Sequence, residues 1–378
     1  MPLFHDEDQE TLANTVGPFM ADRAPVSHLR SLRDADDPAG FSRDLWREFG
    51  QMGFTGVLVD EADGGLGLGH VEAGIVLEEI GRNLTPSPFI GTAVGAVEAL
   101  RLADRGLKET WLPGIVAGET VAALALDEAA RHRPQSVALK AERQGNGFRL
   151  TGAKQFAPFR HEADLLLVSA RTAGDASDEE GVTLFALPRS HPGITVKAER
   201  LADSSFAARI ELDGVDVDGS TVVGEVDDGR SVLNRVLSAV RTGASAELVG
   251  VAGGASAMTL DYIKQRKQFG RIIGSYQALQ HRAAHLYAEM EVARAATLKA
   301  QQSLDAGSET AERDASVAKA MAGMASSLAV REAVQMHGGI GMTDEYDVGF
   351  FMKRQRVLAE LYGDADFHAD RLARMEGY

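Results

Sequence analysis

The hydrophobic period of this 378-residue chain changes twice, and those two changes confine it to few architectures. From residue 7 to about 120, apolar residues recur every three or four positions. Leu45, Trp46, Phe49 and Met52 define one such face over 41–52. A glycine cluster at 63–69 interrupts the pattern, and helical segments resume over 71–80, 94–102 and 108–116. Near Glu119 the period drops to two. Segments 121–126, 136–141, 148–152, 164–169, 182–187, 194–197 and 208–212 read as short strands, parted by turn signals such as Gly145-Asn146-Gly147 and Asp213-Gly214. After Gly229 the helical period returns and persists. Small residues along 231–265 (Ala244, Ala246, Gly250, Gly253, Gly254) permit close helix packing, and Leu279, Ala283, Leu286, Met290 and Ala293 form a bundle seam. A third long helix is expected over 314–335.

The expected fold is therefore α+β: a helical domain over 1–120, a small antiparallel β-barrel or sandwich over 121–228, and a helical bundle over 229–378.

Composition narrows the chemistry. With no cysteine, the chain cannot form disulfides, ligate an iron–sulfur cluster through thiolates or use a thiol nucleophile. A formal net charge of −16 argues against nucleic acid as a partner, since phosphate backbones demand a basic face. It leaves room for a small anionic cofactor held by a few arginines and helix termini. No window approaches the length of a membrane span, and the acidic start is unlike a signal peptide, so a cytoplasmic location is expected. Redox chemistry would need a borrowed cofactor.

The segment 334–368 concentrates the candidate chemistry. Gly338, Gly339 and Gly341 end a long helical pattern and bare the backbone where a bulky anion could approach. Asp364 follows a second short helix and offers a nearby acid or base.

Residues 262–281, reading Tyr262-Ile-Lys-Gln-Arg-Lys-Gln-Phe-Gly-Arg onward to His281, resemble the acyl-CoA dehydrogenase family. Further matches fall in the family's order: Glu78-Glu79-Ile80-Gly81, Trp111–Glu119, Leu150-Thr151-Gly152-Ala153-Lys154, and Gln335–Gly341. The resemblance spans nearly the whole chain and implies an N-terminal helical domain, a middle β-barrel domain and a C-terminal four-helix bundle. It further implies FAD as cofactor, an acyl-CoA substrate, an electron-transfer flavoprotein as electron acceptor and a tetramer. Carried over residue by residue, Arg266 meets the pyrophosphate of a neighbouring subunit's FAD, Phe269 its adenine or pyrophosphate region and Gln277 its adenosine half. Gln335, Gly338 and Gly339 line the pyrophosphate, and Phe156 lies against the flavin ring.

The chain also departs from the family pattern. Asp127 and the basic run Arg131-His132-Arg133 replace hydroxyl residues that usually contact the cofactor, and Pro158 stands where a threonine is common. The family's α-proton base is a glutamate followed by glycine, but here Tyr362 precedes Gly363. The minority position for that base is Val240. Asp364 and Glu247 are the carboxylates within reach of these two slots. The Leu361-Tyr362-Gly363-Asp364 pattern with His368 resembles subunits found in α2β2 members that act in steroid and related catabolism. Two alternatives accompany a homotetrameric dehydrogenase: a half-site partner in a heterotetramer with a paralogous subunit, and a flavin monooxygenase on the same fold.

Overall fold

The computed structural model describes residues 3–378. In chain order it contains α1 (Glu7–Arg23), α2 (Val26–Asp34), α3 (Arg43–Gln51), α4 (His70–Asn83), a π-helical turn (Ile90–Ala96) running into α5 (Val97–Arg101), and α6 (Arg105–Val116). The strands β1 (Ala122–Ala125), β2 (Lys140–Gln144), β3 (Gly147–Pro158), β4 (Leu165–Arg171), β5 (Val182–Pro188), β6 (Ile194–Arg200), β7 (Phe206–Asp218) and β8 (Val222–Val223) follow. The C-terminal part holds α7 (Gly229–Gln265), the two-residue strands β9 (Lys267–Gln268) and β10 (Arg271–Ile272), α8 (Gln277–Asp305), α9 (Ala311–His337), α10 (Val348–Glu360) and α11 (Ala365–Met375).

By internal contacts the chain divides into two compact units. One comprises the chain up to Asp34, His70–Pro86 and Arg241–Tyr378; the other comprises Ala35–Gly69 and Ser87–Val240.

In the first unit, helices from both ends of the sequence share one core. Leu29 of α2, Val251 and Ala255 of α7, Val330 and Ala333 of α9, and Phe350 and Phe351 of α10 form a buried cluster. A second cluster joins Ala252, Leu286, Met290 and Ala329, which uses the bundle seam read from the sequence. The small residues of α7 are there because α4 touches it. A Cβ on Gly250 would lie 1.9 Å from Glu78 O, and one on Gly81 would lie 2.1 Å from Glu247 O. The start of α4 is capped from afar: Asp305 accepts the N–H of His70 at 2.6 Å and that of Val71 at 3.3 Å, quenching donors a helix start leaves open.

In the second unit, α3 is capped by Ser42, whose hydroxyl accepts the Leu45 N–H at 3.2 Å. It buries Trp46 against Phe49 and Phe89. The eight-stranded sheet runs β6-β7-β3-β2-β4-β5-β8, with β1 added beside β4. Six of the seven period-two segments become strands close to the expected positions, but β2 covers only the end of segment 136–141, β8 is an added strand, and the sheet is not purely antiparallel: β1 pairs with β4 in parallel, as does β2 at Lys140–Arg171. Both β1 and β4 are buried along their whole length, the continuous apolar signature of central strands. Alternation along each strand cannot reveal the direction of its partner.

Candidate functional site

In the first unit, α9 ends in the glycine turn. Gln335 is exposed, and Gly338 takes φ 66°. A Cβ on Gly338 or Gly339 would meet nothing within 4 Å, and Gly339 is not in the left-handed region. No contact within the chain therefore requires glycine at 339. The backbone there stands bare.

Beyond the end of α7, β9 and β10 form a tight hairpin whose tip is Phe269-Gly270, at φ 54° and 81°. Both tip residues are left-handed, as a two-residue hairpin requires, yet the first is a phenylalanine where asparagine or glycine is favoured. Its side chain is 91% exposed. Arg266 stands exposed at the hairpin's base, and Gln277 is exposed at the first position of α8. The hairpin and the glycine turn are joined. Tyr262 stacks on His337, ring centroids 4.4 Å apart, and its hydroxyl donates to His337 O at 3.4 Å. The sequence-predicted residues Arg266, Phe269, Gln335, Gly338 and Gly339 thus belong to two linked elements.

The turn after α10 is built from buried cations. Tyr362 takes φ 61° and Gly363 φ 102°, so the backbone at the usual base slot is left-handed. Tyr362 O accepts from Arg241 Nε and from His368 Nε2, each at 3.2 Å. Lys319 Nζ donates to Ala359 O and Gly363 O, both at 2.8 Å, and so serves as a C-terminal cap for α10 supplied by α9. Burial, with the Arg241 charge alongside, pulls the Lys319 ammonium down to about 7, against the opposing pull of Asp364 and Glu360. Asp364 is partly exposed and caps α11, accepting the Phe367 N–H at 2.7 Å. Glu247 is buried and accepts from Arg354 Nε at 2.7 Å. Val240, at the minority slot, is fully buried.

Reading the sequence for function passed over Lys319, Arg241 and His337. The available signal was a charged or imidazole residue at an apolar position of a long helix, as in Ala318-Lys319-Ala320.

In the second unit, β3 carries an irregularity against β7 between Lys154 and Ala157. Phe156 lies in it at φ 57°, 43% exposed. A bulge that turns a large aromatic outward is a device for presenting it. Asp127 and Glu128 are spent on their own loop. Asp127 takes the His132 ring at 2.8 Å and the Arg133 N–H at 2.9 Å. Glu128 accepts from Ala138 N, Leu139 N and the wholly buried Lys154 Nζ. Burial lowers the Lys154 pKa, opposed by the Glu128 charge. Among the described residues no group of three or more histidines or carboxylates could hold a metal ion, and no helix is long and apolar enough to cross a membrane.

Models of the acyl-CoA dehydrogenase N-terminal, middle and C-terminal domains match residues 6–119, 127–215 and 227–376. The acyl-CoA dehydrogenase FadE12 of Mycobacterium tuberculosis is 30% identical over 361 residues, covering 94% of this chain and 92% of that protein. Isovaleryl-CoA dehydrogenase of Solanum tuberosum is 30% identical over 367 residues, 94% of this chain and 87% of its own length. Among solved structures, the ChsE4-ChsE5 complex from Mycobacterium tuberculosis aligns at TM-score 0.89 and 25% identity over 100% of both chains. The Tcur3481-Tcur3483 steroid ACAD aligns at 0.88 and 29% over 98% of both. With its helix–sheet–helix order matched domain by domain, the chain belongs to the acyl-CoA dehydrogenase family and is an oxidoreductase of that kind.

Proposed function

We propose that this chain works in the FAD-dependent α,β-dehydrogenation of an acyl-CoA thioester, with the electrons passing to an electron-transfer flavoprotein. The carrying observation is the turn at Gly338-Gly339, where no contact of the chain's own calls for glycine at 339. A dinucleotide diphosphate is the kind of group that needs such bare backbone. The exposed residues around the turn fit it. Arg266 supplies a planar cation suited to phosphate, Gln335 and Gln277 supply amide donors, and Phe269 supplies an apolar surface for an adenosine. Phe156, in the other unit, offers an aromatic face suited to a flavin ring. Bound FAD supplies the hydride acceptor that no side chain here can replace.

A carboxylate must take the α-proton. Of the two candidates, Asp364 is the better placed, being partly exposed, whereas Glu247 is buried and committed to an ion pair with Arg354. Asp364→Asn is a clean test, because asparagine caps a helix about as well as aspartate. Bleaching of the flavin by an acyl-CoA panel under anaerobic conditions should occur with the wild-type chain and be lost in Asp364→Asn. Oxygen-dependent turnover without bleaching would instead favour the monooxygenase alternative.

One observation favours a second reading. Asp364 already accepts a capping N–H beside the Lys319 amine, and Glu247 is paired, so each carboxylate has competing work. On this reading the chain is one partner of an α2β2 acyl-CoA dehydrogenase and completes a flavin site whose base lies on a paralogous subunit. Two of the similar solved structures are named as two-component assemblies, one of them a steroid ACAD. Activity that appears only when the chain is co-purified with a paralogue, and that survives Asp364→Asn, would select this reading over the homotetramer.

A further inference from the structure

At the junction between the hairpin and the glycine turn sits a buried imidazole with no chemistry yet assigned. His337 is 3% exposed. Its Nδ1 donates to Ala333 O at 2.7 Å, one turn back in α9, so in the neutral ring Nε2 carries no proton. Nε2 is buried and has no hydrogen-bond partner in the protein. Two tyrosines enclose the ring. Tyr262, from the last turn of α7, stacks on it at 4.4 Å and 29°, and Tyr346, from the loop before α10, leans on it at 4.8 Å and 51°. The tyrosines also touch each other edge to face at 6.0 Å.

Backbone and side-chain bonds extend this cluster in both directions. Toward the hairpin, Tyr262 O accepts the Arg266 N–H at 2.9 Å, and Arg266 O accepts the Ile273 N–H at 2.8 Å, which closes the hairpin's base. Toward the loop, Arg30 of α2 donates to Asp344 O at 2.8 Å and pairs with Asp347 at 2.6 Å, while Arg33 pairs with Asp344. The segment from Gly338 to Asp347 is therefore held at its start by His337 and near its end by α2 and by the Tyr346 ring.

We propose that His337 is a positioning residue that locks the Arg266–Phe269 hairpin to the Gly338-Gly339 turn, so that both arms of the diphosphate cradle act as one body only while its ring is neutral. The inference rests on the flavin reading above. An imidazolium here would carry a new Nε2–H with no acceptor in the protein and a charge with no carboxylate against it. The rings against it are Tyr262 from α7 and Tyr346 from the loop, with Asp261 and Asp347 acting on Tyr346; on its own helix the facing group is the Ala333 carbonyl, already used. Arg30, Arg33, Asp344 and Asp347 pair with one another. Consistent with this, burial lowers the His337 pKa below its usual 6.5.

The test is the rate of FAD release from the full-length holoprotein, read from flavin fluorescence, in wild type, His337→Ala and His337→Phe between pH 7.5 and 5. His337→Ala should release FAD at least tenfold faster at pH 7.5, with circular dichroism confirming that it is folded. His337→Phe keeps the stacking ring and should stay within threefold of wild type at pH 7.5. Acidification should speed release from wild type and leave His337→Phe flat, a difference that a merely structural role would not produce. Equal release from wild type and His337→Ala, or parallel pH profiles for wild type and His337→Phe, would overturn the inference while leaving the flavin reading intact. A wild-type chain that holds no FAD, either alone or co-purified with a paralogue, would overturn both.

Discussion

Lys319 offers the sharpest quantitative prediction. Its ammonium sits at about 7 in the fold against an ordinary 10.5. At 1.36 kcal/mol per pKa unit, the cost of keeping it charged inside the protein is about 5 kcal/mol. The unfolded chain binds the proton more tightly than the native one between those values, so stability must rise with pH from about 7 toward 10.5 and lose that gain as pH falls back to about 7. Lys319→Met removes the titration together with the two donors on Ala359 O and Gly363 O. Two buried carbonyls left open cost about 1–3 kcal/mol each, independent of pH. The variant should therefore gain on wild type by about 2 kcal/mol as pH drops from 9 to 7. Near pH 9 the methionine variant should be no more stable than wild type, and the difference should shift in its favour as pH falls to 7. Urea denaturation of both proteins at pH 6, 7, 8 and 9, followed by far-ultraviolet circular dichroism, reads this directly. Parallel stability–pH curves would refute the claim that burial of this amine governs the turn at Tyr362.

Three other perturbations separate structural from functional roles. Glu247→Gln should destabilise the protein by about 3 kcal/mol, because it takes the carboxylate out of a buried ion pair with Arg354; unchanged stability with abolished activity would instead make Glu247 the base. Gly339→Ala should leave the denaturation midpoint within about 0.5 kcal/mol of wild type, since the added methyl meets nothing, while FAD affinity measured by fluorescence titration falls tenfold or more. Phe269→Ala should not change stability within the chain, because the side chain is 91% exposed, but should shift analytical ultracentrifugation toward smaller species; an unchanged distribution would show that the hairpin tip is not an assembly contact.

Much of the framework was legible from residue order. The two changes of hydrophobic period located the helical, strand and helical regions, because periodicity records which side of an element meets apolar matter, and that is a local property. The small residues of α7 announced a close helix crossing, and the Cβ distances at Gly250 and Gly81 bear this out. The glycines after α9 marked a bare turn for the same reason: conformational freedom belongs to the residue itself.

What the order of residues could not supply was the identity of partners. Period two placed the strands, but only the assembled sheet shows β1 and β2 running parallel to β4. A carboxylate in sequence says nothing of its neighbours, so Glu247 and Asp364 read alike until one proved to be ion-paired with Arg354 and the other to cap α11. Lys319 was invisible as a cap because the carbonyls it holds lie 40 and 44 residues away. The helices before and after the sheet proved to share one core, with Leu29 packed in the same cluster as Phe351. Sequence alone determined the local grammar of this protein, its periods, breaks and bare turns. Tertiary structure decided which charges are satisfied, which are exposed and which elements share a core, because those depend on contacts between residues far apart in the chain.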